Sequence, residues 1–247
     1  MRPLIVVIVL LLVAGCGANT RPTPPYAALA TPELATDPTA EPTFGPTPEP
    51  ETRADLTVMA QGFTAGTETD AASYAVVIEN PNSTWVPRFV DVSITFLDAD
   101  GAEIATDIQT ITGLLPESET AVAGEAVGAG GATEMMVEIE NLNGLPSELR
   151  SSLEEAGHYE YEGIQTSQDP SGGITTSGLV VSRFASVQGN VPIHAVYYDA
   201  AGEVVGGAVA SVDQVLPGET AAFEASTAVT IHDIAETRIF GHVGFGS

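Results

Sequence analysis

Between Val90 and Phe96 apolar and polar residues alternate strictly: Val90, Val92, Ile94 and Phe96 are separated by Asp91, Ser93 and Thr95. A period of two puts the apolar set on one face of a strand and the polar set on the other. The alternation ends in Asp98-Ala99-Asp100-Gly101. There the aspartate caps its own turn and the glycine takes a positive φ without a steric penalty. A second apolar run, Ile104 to Ile111, follows, so the segment reads as a β-hairpin. The pattern returns 101 residues later, with Val191, Ile193, Ala195 and Tyr197 inward, the turn Asp199-Ala200-Ala201-Gly202, and the run Val204 to Val212. Leu115-Pro116 matches Leu216-Pro217 at the same offset, and Glu119-Thr120 matches Glu219-Thr220 after one residue of slippage. A period near 100 residues marks duplicated domains, not a short-repeat solenoid.

Other strand candidates flank each hairpin. Leu56 to Phe63, Tyr74 to Ile78 and Met135 to Ile139 serve the first copy; Tyr159 to Ile164, Gly178 to Phe184 and Arg238 to Val243 serve the second. Many short strands per copy predict antiparallel β-sandwiches. One helical period interrupts them: Leu145, Leu149 and Leu153 recur at every fourth position, with Pro146 suited to an early helical position and Gly157 to the C-terminal cap. The expected organisation is a sandwich over 55–143, a connector helix over 144–157 that packs on one sandwich and sets their relative angle, and a second sandwich over 158–247.

The N-terminus carries a different pattern. Leu4 to Val13 is an unbroken apolar run behind Arg2, about half the roughly 20 residues that span a bilayer. It ends in Val13-Ala14-Gly15-Cys16, and Cys16 is the only cysteine in the chain. This stretch resembles the lipobox of bacterial lipoproteins. The resemblance implies that 1–15 is a cleaved signal and that Cys16 is the lipidated new N-terminus, anchored in the cell membrane on its extracytoplasmic side. Several acyl chains on one residue give stable anchoring at about 0.8 kcal/mol per buried CH₂. From residue 16 to 54 the chain is rich in proline, threonine and glutamate, with nine prolines and no hydrophobic period. Such a segment cannot bury enough surface to fold. At about 3.1 Å per polyproline-like residue it spaces the folded part up to roughly 100 Å from the membrane, and its threonines suit sugar attachment.

Charge narrows the partners. Beyond Cys16 there are six arginines, no lysine and 33 carboxylates, a side-chain charge of −27. Such a surface repels phosphate backbones and anionic headgroups, which excludes nucleic acid as a partner and leaves membrane attachment to the acyl chains. With Cys16 committed to lipid, no disulfide and no cysteine nucleophile remain.

The candidate chemistry is sparse. Asp98, Asp100 and Glu103 group hard oxygens as a calcium loop does, but the second copy has Ala201 in place of the second aspartate, so the shared feature is the turn. His158, His194, His232 and His242 show no metal-ligand spacing. His194 aligns with Ser93 on the polar strand face and is expected to be exposed; His232 and His242 are candidates to approach one another in a C-terminal hairpin. Glu154-Glu155 point apart on a helix and suit a solvated face. Neither a Gly-x-Ser-x-Gly elbow nor a phosphate loop is present; Gly128 to Gly131 lacks the strand–helix context. Asn82-Ser83-Thr84 fits a glycosylation sequon but reads as a turn after Asn80-Pro81, and the sole tryptophan, Trp85, reads as a sandwich plug before an exposed binding aromatic, the alternative for this loop.

Leu97-Asp98, Tyr198-Asp199 and the later Leu-Pro-x-Glu-Thr region resemble the FxLYD domain, an immunoglobulin-like module of prokaryotic envelope proteins, although Ala195 stands where its phenylalanine would be. The resemblance implies a β-sandwich at the envelope and brings no ligand or activity. The function expected is that of a lipid-anchored extracytoplasmic protein presenting two non-enzymatic modules to an envelope protein or wall polymer, with no cofactor and no metal. The alternatives are a calcium-responsive module and a hydrolase with an unrecognised site.

Overall fold

The computed structural model describes residues 53–83, 85–145 and 157–242. Twelve strands build it. The first six are β1 (Thr57–Ala65), β2 (Ala71–Asn80), β3 (Val86–Leu97), β4 (Glu103–Ile111), β5 (Ser118–Val127) and β6 (Glu134–Leu145); the second six are β7 (Tyr159–Gln168), β8 (Ile174–Ser182), β9 (Gln188–Tyr198), β10 (Val204–Val215), β11 (Thr220–Thr227) and β12 (Glu236–Gly241). No helix occurs among the described residues. β6 runs through Leu145, so the first two positions of the expected connector helix are strand, and its remainder at 146–156 lies outside the described residues.

The first copy is a sandwich of two three-stranded antiparallel sheets, β1-β2-β5 and β4-β3-β6. The second repeats the order, β7-β8-β11 and β10-β9-β12, but its two sheets are joined by one pair, Val209↔Ser226, into a six-stranded curled sheet. Val90, Val92, Ile94 and Phe96 are all fully buried against Tyr74, Val76, Ile78 and Val122, as the alternation predicts. Phe96 meets Phe63 and Tyr74 edge-on, with ring centroids 5.6 and 5.7 Å away. In the second copy Val191, Ile193, Ala195 and Tyr197 turn inward likewise.

The outer face of β2 and β5 is not solvated. Ala75, Val77, Ala121 and Ala123 pack on Val196, Tyr198 and Val204 of the second copy. β2 is therefore covered on both sides, and the described residues belong to one compact unit. Small residues allow the close approach: a Cβ on Gly207 would lie 2.7 Å from the Ala123 Cβ and 2.6 Å from the Ala195 carbonyl. Direct sheet-on-sheet packing joins the two sandwiches.

Open strand edges are capped across this seam. β10 pairs with β11 only at Val209, leaving Val205 and Gly207 without strand partners on that side. The Thr64 hydroxyl donates to Val205 O at 2.6 Å, and the Ser73 hydroxyl donates to Gly207 O at 2.6 Å while accepting its N–H at 2.9 Å. Hydroxyls of the first sandwich thus take the place of the missing strand.

The duplication extends to backbone strain. Phe89 and Asn190, 101 residues apart, both hold positive φ (54° and 49°) in β3 and β9. At the next matched pair Glu117 has φ 50° and Gly218 φ 71°. A Cβ on Gly218 meets nothing within 4 Å, so φ alone favours glycine there. Glu117→Gly is expected to raise stability by about 0.5–1 kcal/mol, read as a shift in the urea midpoint at unchanged slope.

Candidate functional site

Cys16, the residue assigned to lipid attachment, lies outside the described residues, as do Glu154 and Glu155. Of the carboxylates grouped as in a calcium loop, Asp98 caps the turn and Glu103 accepts from the Thr106 hydroxyl at 2.8 Å. Asp98 Oδ1 accepts the N–H groups of Asp100 and Ala102, both at 2.9 Å, and Asp199 Oδ1 accepts those of Ala201 and Glu203 at 2.8 and 2.9 Å. Asp169 repeats the device in the β7–β8 turn, where its carboxyl is held below the usual range by the Ser171 hydroxyl and backbone N–H groups. No cluster of three metal-ligating side chains occurs among the described residues.

Trp85 is buried at the end of the first sandwich, as expected, with the Arg53 guanidinium 5.2 Å from its ring centroid. Asn80 organises this end. Its Nδ2 lies 2.8, 3.2 and 3.1 Å from the carbonyls of Trp85, Leu114 and Leu115, and its Oδ1 accepts from Asn82 N and Nδ2. Asn82 in turn exchanges two 2.9 Å bonds with the Ala54 backbone, which pins the entry of the chain. The sequon asparagine is thus a buried turn residue with its amide committed.

The open side of the first sandwich, between β4 and β5, holds a polar cluster. The Tyr74 hydroxyl donates to Asp107 Oδ2, while Gln109 Nε2 donates to that carboxylate at 2.9 Å and to the Tyr74 oxygen at 3.2 Å. Burial and the neighbouring carboxylate push the phenol pKa up. The matching positions of the second copy hold Thr176, Ala208 and Ala210. There β10 and β11 pair directly, so the cluster fills a gap that the second copy closes with backbone.

The histidines depart from expectation. His194 is not exposed: it is 2% accessible, because the face that is polar in β3 is the docking face in β9. His242 does not approach His232 but stacks on His194, with centroids 4.6 Å apart and planes at 26°. His194 Nδ1 accepts the Ala123 N–H at 3.0 Å, and His242 Nε2–H donates to the Ala121 carbonyl at 2.8 Å. Both bonds cap the free edge of β5. Desolvation, reinforced for His194 by its neighbour's charge, holds both imidazoles below their ordinary pKa, His194 at about 3. The signal was present in the sequence only as a loss of alternation: from His194 to Tyr198 β9 is apolar or aromatic at every position.

His232 lies instead at an open groove of about 730 Å³ on the second sandwich, between β7 and the β11–β12 connection. Ile164, Ile174 and Ile231 line it together with Thr166, Gln168, His232, Asp233 and Glu236. Asp233 has φ 62°, and the connection is two residues longer than its counterpart between β5 and β6 (228–235 against 128–133). Glu236 is engaged by Arg238 at 2.7 Å, which lowers its pKa. The groove offers hydroxyl, amide and carboxylate groups over an aliphatic floor, a chemistry of hydrogen bonding.

The fold defines a class: an all-β protein of two antiparallel sandwiches. No protein-family model matches this chain, and no curated protein matches it. Among solved structures, the exo-chitosanase CsxA of Amycolatopsis orientalis is similar over 73% of this chain, at 15% identity and a TM-score of 0.27; this chain spans about a quarter of that protein (25%). The N-terminal CBM22-1-CBM22-2 tandem domain from Paenibacillus barcinonensis Xyn10C is similar over 78% of this chain and 83% of its own, at 11% identity and a TM-score of 0.17.

Proposed function

We propose that this chain is a lipid-anchored protein of the extracytoplasmic face of a bacterial membrane, held by acyl chains on Cys16. It acts by binding and not by catalysis. The Pro/Thr-rich segment after Cys16 carries the folded unit away from the bilayer, and the two sandwiches, docked face to face, present the open groove of the second to an envelope protein or wall polymer. The anchor rests on the Val13-Ala14-Gly15-Cys16 sequence behind its apolar run. The binding reading rests on how the polar side chains are used. The turn aspartates, the buried histidines and Asn80 are each occupied by backbone groups, whereas His232 and Asp233 stand exposed at the rim of the groove over Ile174 and Ile231.

Metabolic labelling with a palmitate analogue tests the anchor. The wild-type chain is expected to take the label and to sediment with membranes. Cys16→Ala is expected to lose the label and appear in the soluble fraction. Label on the variant, or none on the wild type, overturns the anchor.

A further inference from the structure

The seam between the sandwiches contains the only pair of buried imidazoles among the described residues, and each ring is half satisfied. His194 Nε2 and His242 Nδ1 are buried without a hydrogen-bond partner, while the opposite nitrogens hold the free edge of β5 at Ala123 and Ala121. The bond from the Ala123 N–H needs His194 Nδ1 unprotonated. A proton there would face that N–H and keep at best the Ala123 carbonyl, 3.3 Å away. A proton on the second nitrogen of either ring would place a charge in a dry seam against another imidazole 4.6 Å away.

No carboxylate is placed to absorb that charge. The titratable and charged groups on the packed elements are Glu119 and Glu125 of β5, Tyr74 and Glu79 of β2, Tyr197 and Tyr198 of β9, Asp213 of β10, Glu236 and Arg238 of β12, and Tyr159, Glu160, Tyr161 and Glu162 of β7, whose two tyrosines lie against Gly241; β1 contributes none. Tyr74 faces the other side, into the first core. Glu125 accepts from Thr227 and the Ala228 N–H, Glu236 is paired with Arg238, and Arg238 lies over the Tyr198 ring. None of these groups is among the hydrogen-bond or ion-pair partners of either ring.

We propose that the stacked imidazoles of His194 and His242 form an acid-release latch: neutral, they hold the two sandwiches together, and protonated, they let the seam open while each sandwich keeps its own core. The separation is built into the packing. The seam sets Ala75, Val77, Ala121 and Ala123 against Val196, Tyr198 and Val204, apart from the core of the first sandwich and from the Val180–Phe223 core of the second, and Ala71 alone of the first sandwich enters the other core of the second. The sign follows from proton affinity. An opened seam returns the imidazoles to water, where they bind protons near pH 6.5, and the closed seam refuses them. Closure is fully favoured above that pH and is lost as pH falls toward the depressed value near 3 at His194. Each ring makes opening about tenfold easier per pH unit between pH 6.5 and its own depressed pKa.

Hydrogen exchange on the full chain in detergent tests the latch. Between pH 7 and pH 4.5, after correction for the intrinsic rate, opening at the β5 amides 121–125 and at 205–207 is expected to increase by at least about 100-fold. Amides of Val92 and Ile94, inside the first sandwich, are expected to stay within about threefold. The double variant His194→Gln and His242→Gln is expected to abolish the pH dependence. Equal loss at both sets of amides overturns the latch in favour of global acid unfolding, and an unchanged pH dependence in the double variant transfers the effect to carboxylates. Should that variant fail to fold, the wild-type imidazole NMR signals decide. Both rings are expected to stay neutral until the β5 amides open, and a ring protonated at pH 6 with the seam closed overturns the proposal.

Discussion

Ala123→Glu is expected to separate the two sandwiches at neutral pH. Ala123 is fully buried, its N–H is bonded to His194, and Gly207 lies directly against it. A glutamate there has neither room nor a cation to meet. An uncompensated buried charge costs about 3–5 kcal/mol, which the seam avoids by opening. For a unit of this size that corresponds to a fall in Tm of about 6–20 °C. X-ray scattering is expected to show an elongated particle with near-UV signals of the individual cores retained. The matched residue of the second sandwich is Glu224, which is exposed. Glu224→Ala is therefore expected to change stability by no more than about 0.5 kcal/mol. An Ala123→Glu protein as compact and as stable as wild type would disprove the seam as drawn.

Asn80 gives the second large effect. Asn80→Ala removes the donor facing three carbonyls and the acceptor used twice by Asn82, at the point where the chain enters the first sandwich. Leaving such groups buried and unpaired costs about 1–3 kcal/mol each before relaxation, so a net loss of about 3 kcal/mol is expected. Asn80→Asp keeps the shape but turns the donor into a carboxylate facing carbonyl oxygens, and is expected to cost at least as much. Denaturation followed by Trp85 fluorescence measures both, since Trp85 sits on the same knot. A loss below about 1 kcal/mol in the alanine variant would mean that the network does not hold this end.

The strand read most fully from sequence has one wet face. β3 alternates because its outer side meets solvent, and its core residues, turn and following strand were legible for that reason. β5 and β11 were not. Ser118–Val127 is rich in alanine, glycine and glutamate, and its outer alanines are small because another sheet lies on them, so no period-two signal survives. The same cause misplaced His194. Aligning β9 with β3 carried over the solvent side of β3, whereas the duplicated strand had acquired a neighbour. The end-knot was partly legible, in that Asn80-Pro81 and Trp85 read as turn and plug, but the partners of Asn80 at Leu114 and Leu115 are tertiary and leave no local pattern. The groove at His232 was illegible, since its residues come from β7 and a loop some 65 residues away in sequence.

The sandwiches meet by unlike surfaces: the first offers its β1-β2-β5 side and the second its β10-β9-β12 side. A joint of that kind leaves one unused copy of each surface at the two ends, and repetition of the same step would grow an open-ended fibre. This chain has the ends finished differently. The outer face of β3 carries Asp91, Ser93 and Thr95 where β9 has Pro192, His194 and Val196, and the face of β8 and β11 carries Ser177 and Glu224 where β2 and β5 have Ala75 and Ala123. Two substitutions of small apolar residues and a row of polar ones convert a surface able to propagate into a terminus. The duplicated gene thus encodes a polymer of length two, with its stop signals written on the strands that face outward.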